Sequence, residues 1–378
     1  MIQPTKQVPL VAPSDGRGVV RGNPTAESRL DPLTGNWTIF SPQRTGRPDE
    51  FVDSDVRADS KLECPFCPGN EEATPDPVWS GRISTEDSGF EISQPGQEIS
   101  NADWSVRVVP NKFPAVNEIE TASPKRVDAN LFQRSGIGGG HEVIIESRQH
   151  VESLTELDLA ELSLVFLAYR DRLQYWRSMS GISYLSVFKN VGGRAGASLS
   201  HSHSQLIATN RLPAQIKDSI DLMSRHRAAT GCCLMCDLVR GELKSKQRII
   251  WADNALVAFC PFASHLPMQV RVTTQEHEDC FENLDNCRLE SISRLVGRVV
   301  SWLEKLRPGT AYNYCLHTRP PAMDDTHESF HWWIDIFPRM TQVAGFEWSS
   351  QCMINPILPE DSASKLGACA RAEDPRYL

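Results

Sequence analysis

The chain lacks the long hydrophobic runs that a membrane protein needs. None of its apolar stretches approaches the roughly 20 residues that cross a bilayer as a helix. Residues 1–23 also lack the compact hydrophobic block of a secretory signal. We therefore expect a soluble, cytoplasmic protein that has no membrane partner.

An excess of positive charge is missing too. The chain has 39 Lys and Arg residues against 48 Asp and Glu residues, a formal net charge of -9. Nucleic-acid binding depends on a net basic surface that displaces counterions. We therefore expect no nucleic-acid partner, although a few basic side chains could still hold a phosphate group.

The length and the cysteines indicate two similar, reduced domains. With 378 residues and 40% apolar content, the chain can supply a hydrophobic core for each of two domains. Eleven cysteines are an odd number, and without an export signal they are expected to stay reduced. Four of them form two C-x-x-C pairs, CPFC (64–67) and CLMC (233–236). Metal binding is the better interpretation of these pairs.

Each C-x-x-C pair begins a similar series of motifs. In the first half, His201 follows His150 by 51 residues, and in the second half His331 follows His277 by 54 residues. A strand, a helix and two strands are predicted in the same order around each pair of histidines. Short connections in this order favour an α+β fold, with antiparallel strands and a helix packed on one face. The two units are expected to form a pseudo-symmetric pair.

Hydrophobic periodicity places the elements of each half. Ser153 and Glu156 have the spacing of a capping box before the first helix. Apolar residues then recur at helical intervals in both halves, at Leu162, Val165, Phe166, Tyr169, Leu173 and Trp176 and at Ile292, Leu295, Val296, Val299, Leu303 and Leu306. Strands are predicted at 142–146, 182–188, 205–209, 268–272, 311–316 and 332–337.

Composition suggests where the domains begin and end. Residues 1–27 and the last residues are rich in loop-forming or polar types and lack periodicity. We divide the chain into a flexible N-terminal arm (1–27), a catalytic domain (28–211), a linker (212–230), a C-terminal domain (231–362) and a tail (363–378).

Two zinc sites follow from the paired motifs. Zinc takes four Cys or His ligands that distant parts of a chain bring together. The predicted ligands are Cys64, Cys67, His150 and His201 in the first half, and Cys233, Cys236, His277 and His331 in the second. A lone C-x-x-C pair fits a redox site as well, and His265 and His327 compete as ligands of the second site. His331 has the alternative of a buried histidine bonded to a carbonyl group.

Only the first half adds a second histidine, His203, and a glutamine, Gln205. Residues 201, 203 and 205 point to one face of a strand, so His201 can bind metal while His203 stays free. A neutral histidine attacks phosphorus and passes the group on, and the Gln205 amide can donate to a phosphoryl oxygen. The alternative is that both histidines bind metal.

Two further segments suit phosphate binding. The small-residue loop NVGGRAGAS (190–198) lets backbone N–H groups approach a polyphosphate closely. Arg44 and Arg47 can clamp anionic oxygens in fork geometry, although isolated arginines are usually solvated.

A family resemblance is carried by the combination of DPLTGNW (31–37), SPQRTGRP (41–48), CPFC (64–67), NKFP (111–114), GAS (196–198) and HSHSQ (201–205). Together with GFE (345–347) and INP (354–356), these motifs resemble the galactose-1-phosphate uridylyltransferase family of the histidine-triad superfamily. The likeness extends from about residue 28 to residue 360.

The resemblance implies two histidine-triad-like units and a ping-pong reaction. A nucleotide sugar donates its nucleoside monophosphate to His203, hexose 1-phosphate leaves, and a second sugar phosphate accepts the nucleotidyl group. The four first-half Cys and His residues match the structural zinc ligands, and Gln205 matches a phosphoryl contact. The remaining implied pocket residues are Arg44, Arg47, Asn111, Asn190, Gly196, Ala197 and Ser198, with Gly345, Phe346 and Glu347 at the sugar end.

The chain departs from the best-known members in two places. Serines stand at 202 and 204 where those enzymes read His-Pro-His-Gly-Gln, and a second C-x-x-C centre replaces their iron site. Both features resemble the branch that contains ADP-glucose phosphorylase. We predict a UDP-glucose–hexose-1-phosphate uridylyltransferase, with ADP-glucose phosphorylase as the alternative. A zinc-stabilised nucleotide-binding protein or hydrolase is a third possibility, and a homodimer is possible.

Overall fold

A computed structural model describes residues 25–46, 64–84, 89–93, 103–116, 132, 135–326 and 328–374. Nearly all of the predicted N-terminal arm, 1–27, lies outside the described residues. Arg47 and His327 also lie outside them.

Fourteen strands are found in the described residues. In chain order they are β1 (Glu27–Leu30), β2 (Trp37–Phe40), β3 (Trp79–Ile83), β4 (Phe90–Ile92), β5 (Val106–Pro110), β6 (Gly139–Ile145), β7 (Tyr184–Val191), β8 (His203–Thr209), β9 (Ile249–Ala252), β10 (Leu256–Phe259), β11 (Val270–Thr274), β12 (Tyr312–His317), β13 (Trp333–Pro338) and β14 (Met353–Asn355). β1, β2 and β14 form a small sheet, and the other eleven strands form one large sheet.

The large sheet is antiparallel and its strand order is nearly a mirror image about its centre. The order is β4-β3-β5-β6-β8-β7-β12-β13-β11-β10-β9. The halves join where β7 pairs with β12, and Asn190 lies opposite Asn313 there. The predicted α+β fold with a pseudo-symmetric pair of units is confirmed, and the two units share a single sheet.

Helices pack on both faces of the large sheet. They are α1 (Leu159–Ser178), α2 (Ala214–Thr230), α3 (Leu234–Ser245), α4 (Asn286–Leu306), α5 (Gly345–Ser350) and α6 (Pro359–Glu373). α1 and α4 pack together, and their apolar faces form the main core with the central strands. Among the described residues, no helix is both long and apolar enough to cross a bilayer.

The predicted capping box is present, but it begins a shorter element than expected. Ser153 and Glu156 cap the 3-10 turn Leu154–Glu156. A second capping box, between Asp158 and Glu161, begins α1 itself. The chain therefore turns once before the long helix starts, which the spacing of Ser153 and Glu156 did not reveal.

The predicted domain boundaries stay predictions, and two of the segments they define are helical. α2 occupies most of the predicted linker, 212–230. α6 crosses the predicted boundary at 363, because Leu366 and Ala370 bury apolar side chains within it. Amphipathic burial therefore continues the helix into the predicted tail as far as Glu373.

Burial alternates along the central strands and defines a second, open face. On β7, Leu185, Val187 and Lys189 are buried beneath the helices, whereas Phe188 and Asn190 on the other side are partly exposed. Period-two alternation puts every second residue of a strand on the same side. We call the side opposite α1 and α4 the open face.

On the face covered by α1, close packing predicts a requirement for glycine in β6. A methyl group at Gly140 in β6 would overlap the indole ring of Trp176. We expect Gly140→Ala to lower the free energy of unfolding by about 1–3 kcal/mol through overpacking, as measured by urea denaturation. Gly241→Ala is the matched control, since no atom lies near its added methyl group and alanine favours a helix. Equal stability of the two variants would contradict this packing.

Candidate active site and metal clusters

The first predicted set of metal ligands comes together on the open face. The possible ligand atoms of Cys64, Cys67, His150 and His201 all lie within 4.8 Å of one another. The Cys64 sulfur lies 3.6 Å from His201 Nδ1, and the Cys67 sulfur lies 3.2 Å from His150 Nδ1. Four residues separated by up to 137 positions thus form one compact cluster.

The second predicted set is equally compact. Cys233, Cys236, His277 and His331 also place their ligand atoms within 4.8 Å of one another. The Cys236 sulfur lies 3.5 Å from Nδ1 of both histidines. His265, considered as a competing ligand, does not belong to this cluster in the described part of the chain.

The spacing and orientation of these side chains fit zinc. Zinc–sulfur and zinc–nitrogen distances of about 2.3 and 2.0 Å in a tetrahedron separate sulfur from nitrogen by about 3.5 Å. The outer nitrogen of His201, Nε2, donates to the Ser147 carbonyl at 2.9 Å. That bond leaves the lone pair on Nδ1, towards the cysteines, as outer-sphere partners of metal-bound histidines do. His331 Nε2 has a similar partner in the Thr274 hydroxyl, at 2.9 Å.

His203 lies beside the first cluster but outside it. Its Nδ1 donates to the His201 carbonyl at 2.8 Å, so a neutral ring carries its lone pair on Nε2. No hydrogen bond to Nε2 is found within the described residues. Burial lowers the pKa of His203 below its ordinary value, and the bond to the His201 carbonyl acts in the opposite direction. Burial therefore favours the neutral ring, which carries its lone pair on Nε2.

Gln205 is held by a residue that the sequence interpretation missed. His141 Nε2 lies 2.8 Å from Gln205 Oε1, and Nδ1 of the same ring accepts from the Ala115 backbone N–H at 3.2 Å. A backbone amide can only donate, so this contact assigns the ring proton to Nε2. Gln205 then accepts through its oxygen, and its NH2 group is turned away from His141. The Asn111 amide nitrogen makes a longer contact, 3.2 Å, with the same Nε2.

The predicted phosphate loop folds back tightly after β7. Gly192 and Gly196 have φ values of 82° and 85°, a region that favours glycine. The amides of Ala195 and Ala197 both donate to the Gly192 carbonyl. This turn presents Gly196, Ala197 and Ser198 just before the segment that leads into β8.

Other predicted pocket residues lie on the small sheet. Arg44 is exposed in a 3-10 turn after β2, and Gly345, Phe346 and Glu347 open α5 just before β14. The Glu347 carboxylate accepts from the Ala344 amide at the start of its own helix. Within the described ranges, no hydrogen bond joins these residues to His203 or Gln205, so their predicted roles stay predictions.

A cavity of about 710 Å³ borders the first cluster at His150. Its lining includes Trp104, Arg148, His150 and Glu161, and His203 is not part of it. The cavity therefore does not coincide with the predicted nucleophile.

Comparison with known proteins identifies the family. A family model described as "Domain of unknown function (DUF4921)" matches residues 114–370. An ADP-glucose phosphorylase of Arabidopsis thaliana is 31% identical over 354 residues, which cover 92% of this chain and 94% of the relative. A galactose-1-phosphate uridylyltransferase of Thermotoga maritima is 22% identical over 347 residues, and this alignment covers 90% of this chain and 97% of the relative.

Solved structures agree. The crystal structure of the Arabidopsis ADP-glucose phosphorylase with bound ADP-glucose has a TM-score of 0.74 and 30% identity, covering 91% of this chain and 99% of that chain. A uridylyltransferase structure with a TM-score of 0.67 and 21% identity shares the fold, covering 93% of this chain and all of that one. The chain belongs to the galactose-1-phosphate uridylyltransferase family. The resemblance that its motifs predicted is confirmed.

The serines that distinguish this member of the uridylyltransferase family belong to a buried polar network. Lys189 on β7 forms an ion pair with Glu146, and it donates to Ser202 Oγ at 2.9 Å and to the His203 carbonyl at 3.1 Å. Ser202 in turn donates to Glu146 at 2.6 Å. All three protons of the ammonium group are therefore used beneath His203.

The rest of this network joins the two halves of the uridylyltransferase fold. The Tyr169 hydroxyl contacts Glu146 at 3.1 Å and Ser204 at 2.7 Å, and it also bonds to the Tyr314 hydroxyl from the second half. Burial raises the pKa of Glu146, but Lys189 and the hydrogen bonds outweigh this effect and hold the pKa below its ordinary value. Proline and glycine at 202 and 204 could not supply these hydroxyl groups.

This network predicts that Lys189 stabilises the uridylyltransferase fold. Lys189→Met leaves the Glu146 carboxylate buried without its cation, and removing one partner of a buried pair costs about 3–5 kcal/mol. We expect a loss of this size in the free energy of unfolding, as measured by denaturant titration.

The matched control is Lys217→Met, because the Lys217–Asp221 pair is exposed. Exposed pairs contribute little. A similar small effect in both variants would show that Glu146 does not depend on Lys189.

Proposed function

We propose that the protein is a nucleotidyltransferase that exchanges a nucleoside monophosphate between a nucleotide sugar and a hexose 1-phosphate through a covalent nucleotidyl-His203. The observation that carries this proposal is the state of the His203 ring. Its Nδ1 is fixed on the His201 carbonyl, whereas its Nε2 lies outside the metal cluster. A histidine held in this way has one lone pair and one direction of attack.

The proposed reaction has two displacements at the α-phosphorus. In the first, His203 Nε2 forms a P–N bond while the P–O bond to hexose 1-phosphate breaks, and the leaving oxygen keeps the electron pair. In the second, a phosphate oxygen of the acceptor attacks, and the P–N bond breaks. The Nδ1 proton stays on the ring throughout, and the His201 carbonyl stabilises the positive charge that the ring acquires.

Neighbouring groups support the transfer by charge and position. The NH2 group of Gln205 is free to donate to a phosphoryl oxygen, because the oxygen of that amide is bonded to His141. The loop from Gly192 to Ser198 lies next to the same strand, but the amides of Ala195, Gly196 and Ala197 already donate within the turn, so Gln205 is the donor that we assign. Donors fixed in advance stabilise the charge that develops on the phosphoryl group.

We propose zinc at both Cys/His clusters, with a structural role. A bound ion at the first cluster would tie Cys64, Cys67 and His150 to His201, two residues from the nucleophile. The position of His203 would then depend on the metal, although the chemistry would not pass through it.

The donor base has two candidates. We propose UDP-glucose as donor and galactose 1-phosphate as acceptor. ADP-glucose phosphorylase is the second candidate, because the Arabidopsis relative of that name is 31% identical over most of both chains. The serines at 202 and 204 are compatible with this candidate.

The adduct tests the reaction and the donor together. After incubation with UDP-glucose or ADP-glucose, intact mass spectrometry is expected to find one added uridylyl or adenylyl group. His203→Ala is expected to abolish the adduct, whereas the control His226→Ala on α2 retains it. If neither donor modifies the chain, or if the His203→Ala variant is still modified, the proposed function fails. Hydrolysis to free monophosphate without an acceptor would favour a hydrolase.

Metal content separates the roles of the two neighbouring histidines. His201→Ala is expected to lose about one of two zinc ions and to unfold more easily, because metal binding contributes to folding stability. His203→Ala is expected to keep both ions. Elemental analysis and thermal unfolding measure the difference, and equal zinc loss in the two variants would reverse the assignment.

A further inference from the structure

Asn190 lies beside the nucleophile on the open face. On the paired strands β7 and β8, Lys189 lies opposite Ser204, which places Asn190 alongside His203. Side chains of directly opposite residues share a face and approach each other closely. Either end of the Asn190 amide could therefore meet a phosphoryl group on His203, and the two ends would have opposite effects.

A residue of the second half sets which end is presented. The Asn313 side-chain nitrogen on β12 lies 2.7 Å from Asn190 Oδ1 and 2.7 Å from the Ala195 carbonyl oxygen. A backbone carbonyl can only accept, so the NH2 group of Asn313 must face this side. Asn313 therefore donates to Asn190 as well, and Asn190 must accept through its oxygen.

We propose that Asn313 is a positioning residue that fixes the Asn190 amide so that its NH2 group, and not its oxygen, is directed to the transferred phosphoryl group. This inference rests on the proposed nucleotidyl transfer to His203. The bond from Asn313 to the Ala195 carbonyl fixes the orientation of the Asn313 amide itself. The second half thereby contributes to a reaction whose nucleophile belongs to the first.

The proposal predicts a large effect from an isosteric change. In Asn313→Asp the side chain can no longer donate, so Asn190 is expected to turn and present its oxygen to an anionic group. Losing one preorganised donor slows related reactions about 10²–10³-fold, and we expect about 100-fold slower adduct formation. Asn313→Ala is expected to slow it about 10-fold, because Asn190 becomes free to adopt either orientation.

The measurement is single-turnover adduct formation, followed by quenched intact mass spectrometry with UDP-glucose and with ADP-glucose. The control is Asn210→Asp at the far end of β8, because Asn210 accepts from Gly138 through its oxygen. That variant adds the same charge but keeps the acceptor, and its rate is expected to be unchanged. Zinc content and urea midpoints verify that each variant is folded.

A double-variant cycle distinguishes positioning from general support of the fold. If Asn313 acts through Asn190, then Asn313→Ala has little further effect on the rate in the Asn190→Ala background. Additive losses, or an unchanged rate in both Asn313 variants, overturn the proposal while the proposed function stands. If the protein without any substitution forms no adduct with either donor, the proposed function itself is overturned.

Discussion

The hydrogen bond between His203 Nδ1 and the His201 carbonyl is the constraint on which the rest of the site depends. It fixes the tautomer of the predicted nucleophile, and its acceptor belongs to a residue held by the first Cys/His cluster. On the other side of the sheet, Lys189 donates to the carbonyl of His203 itself. The backbone around His203 is thus held from both faces of the sheet.

In the second half, the position that is equivalent to His203 has a different role. Trp333 follows His331 at the spacing at which His203 follows His201, and its ring N–H donates to Asp335 at 2.8 Å. Asp335 is paired with Arg271 in a buried bidentate contact, and the fully buried Leu33 belongs to the same hydrophobic cluster as Trp333. Equivalent positions therefore serve packing in one half and hold the predicted nucleophile in the other, on one continuous sheet.

Much of this arrangement could be predicted from the sequence because its signals are local or repeated. Six predicted strands appear within a few residues of their expected bounds, and ten of the twelve predicted apolar positions on α1 and α4 are buried, whereas Trp176 is partly buried and Leu306 is exposed. The two Cys/His sets were predictable because a C-x-x-C pair followed by two histidines occurs twice in the same order, with 51 and 54 residues between the histidines. The start of α1 was less predictable, because two capping boxes follow each other and only the first was recognised.

The polar partners were harder to predict, because a strand pattern reveals burial but not which groups meet. Lys189 follows Leu185 and Val187 at alternate positions of β7. The alternation therefore places the charged side chain of Lys189 on the buried side of the strand. Its partner Glu146 comes directly after the end of β6, 43 residues away in the chain. Ser202 and Ser204 gave the complementary signal, since polar residues between His201, His203 and Gln205 must point beneath the helices. A lysine and two serines whose side chains point into the core need a buried hydrogen-bond acceptor. Serines in place of the proline and glycine of His-Pro-His-Gly-Gln therefore imply such an acceptor.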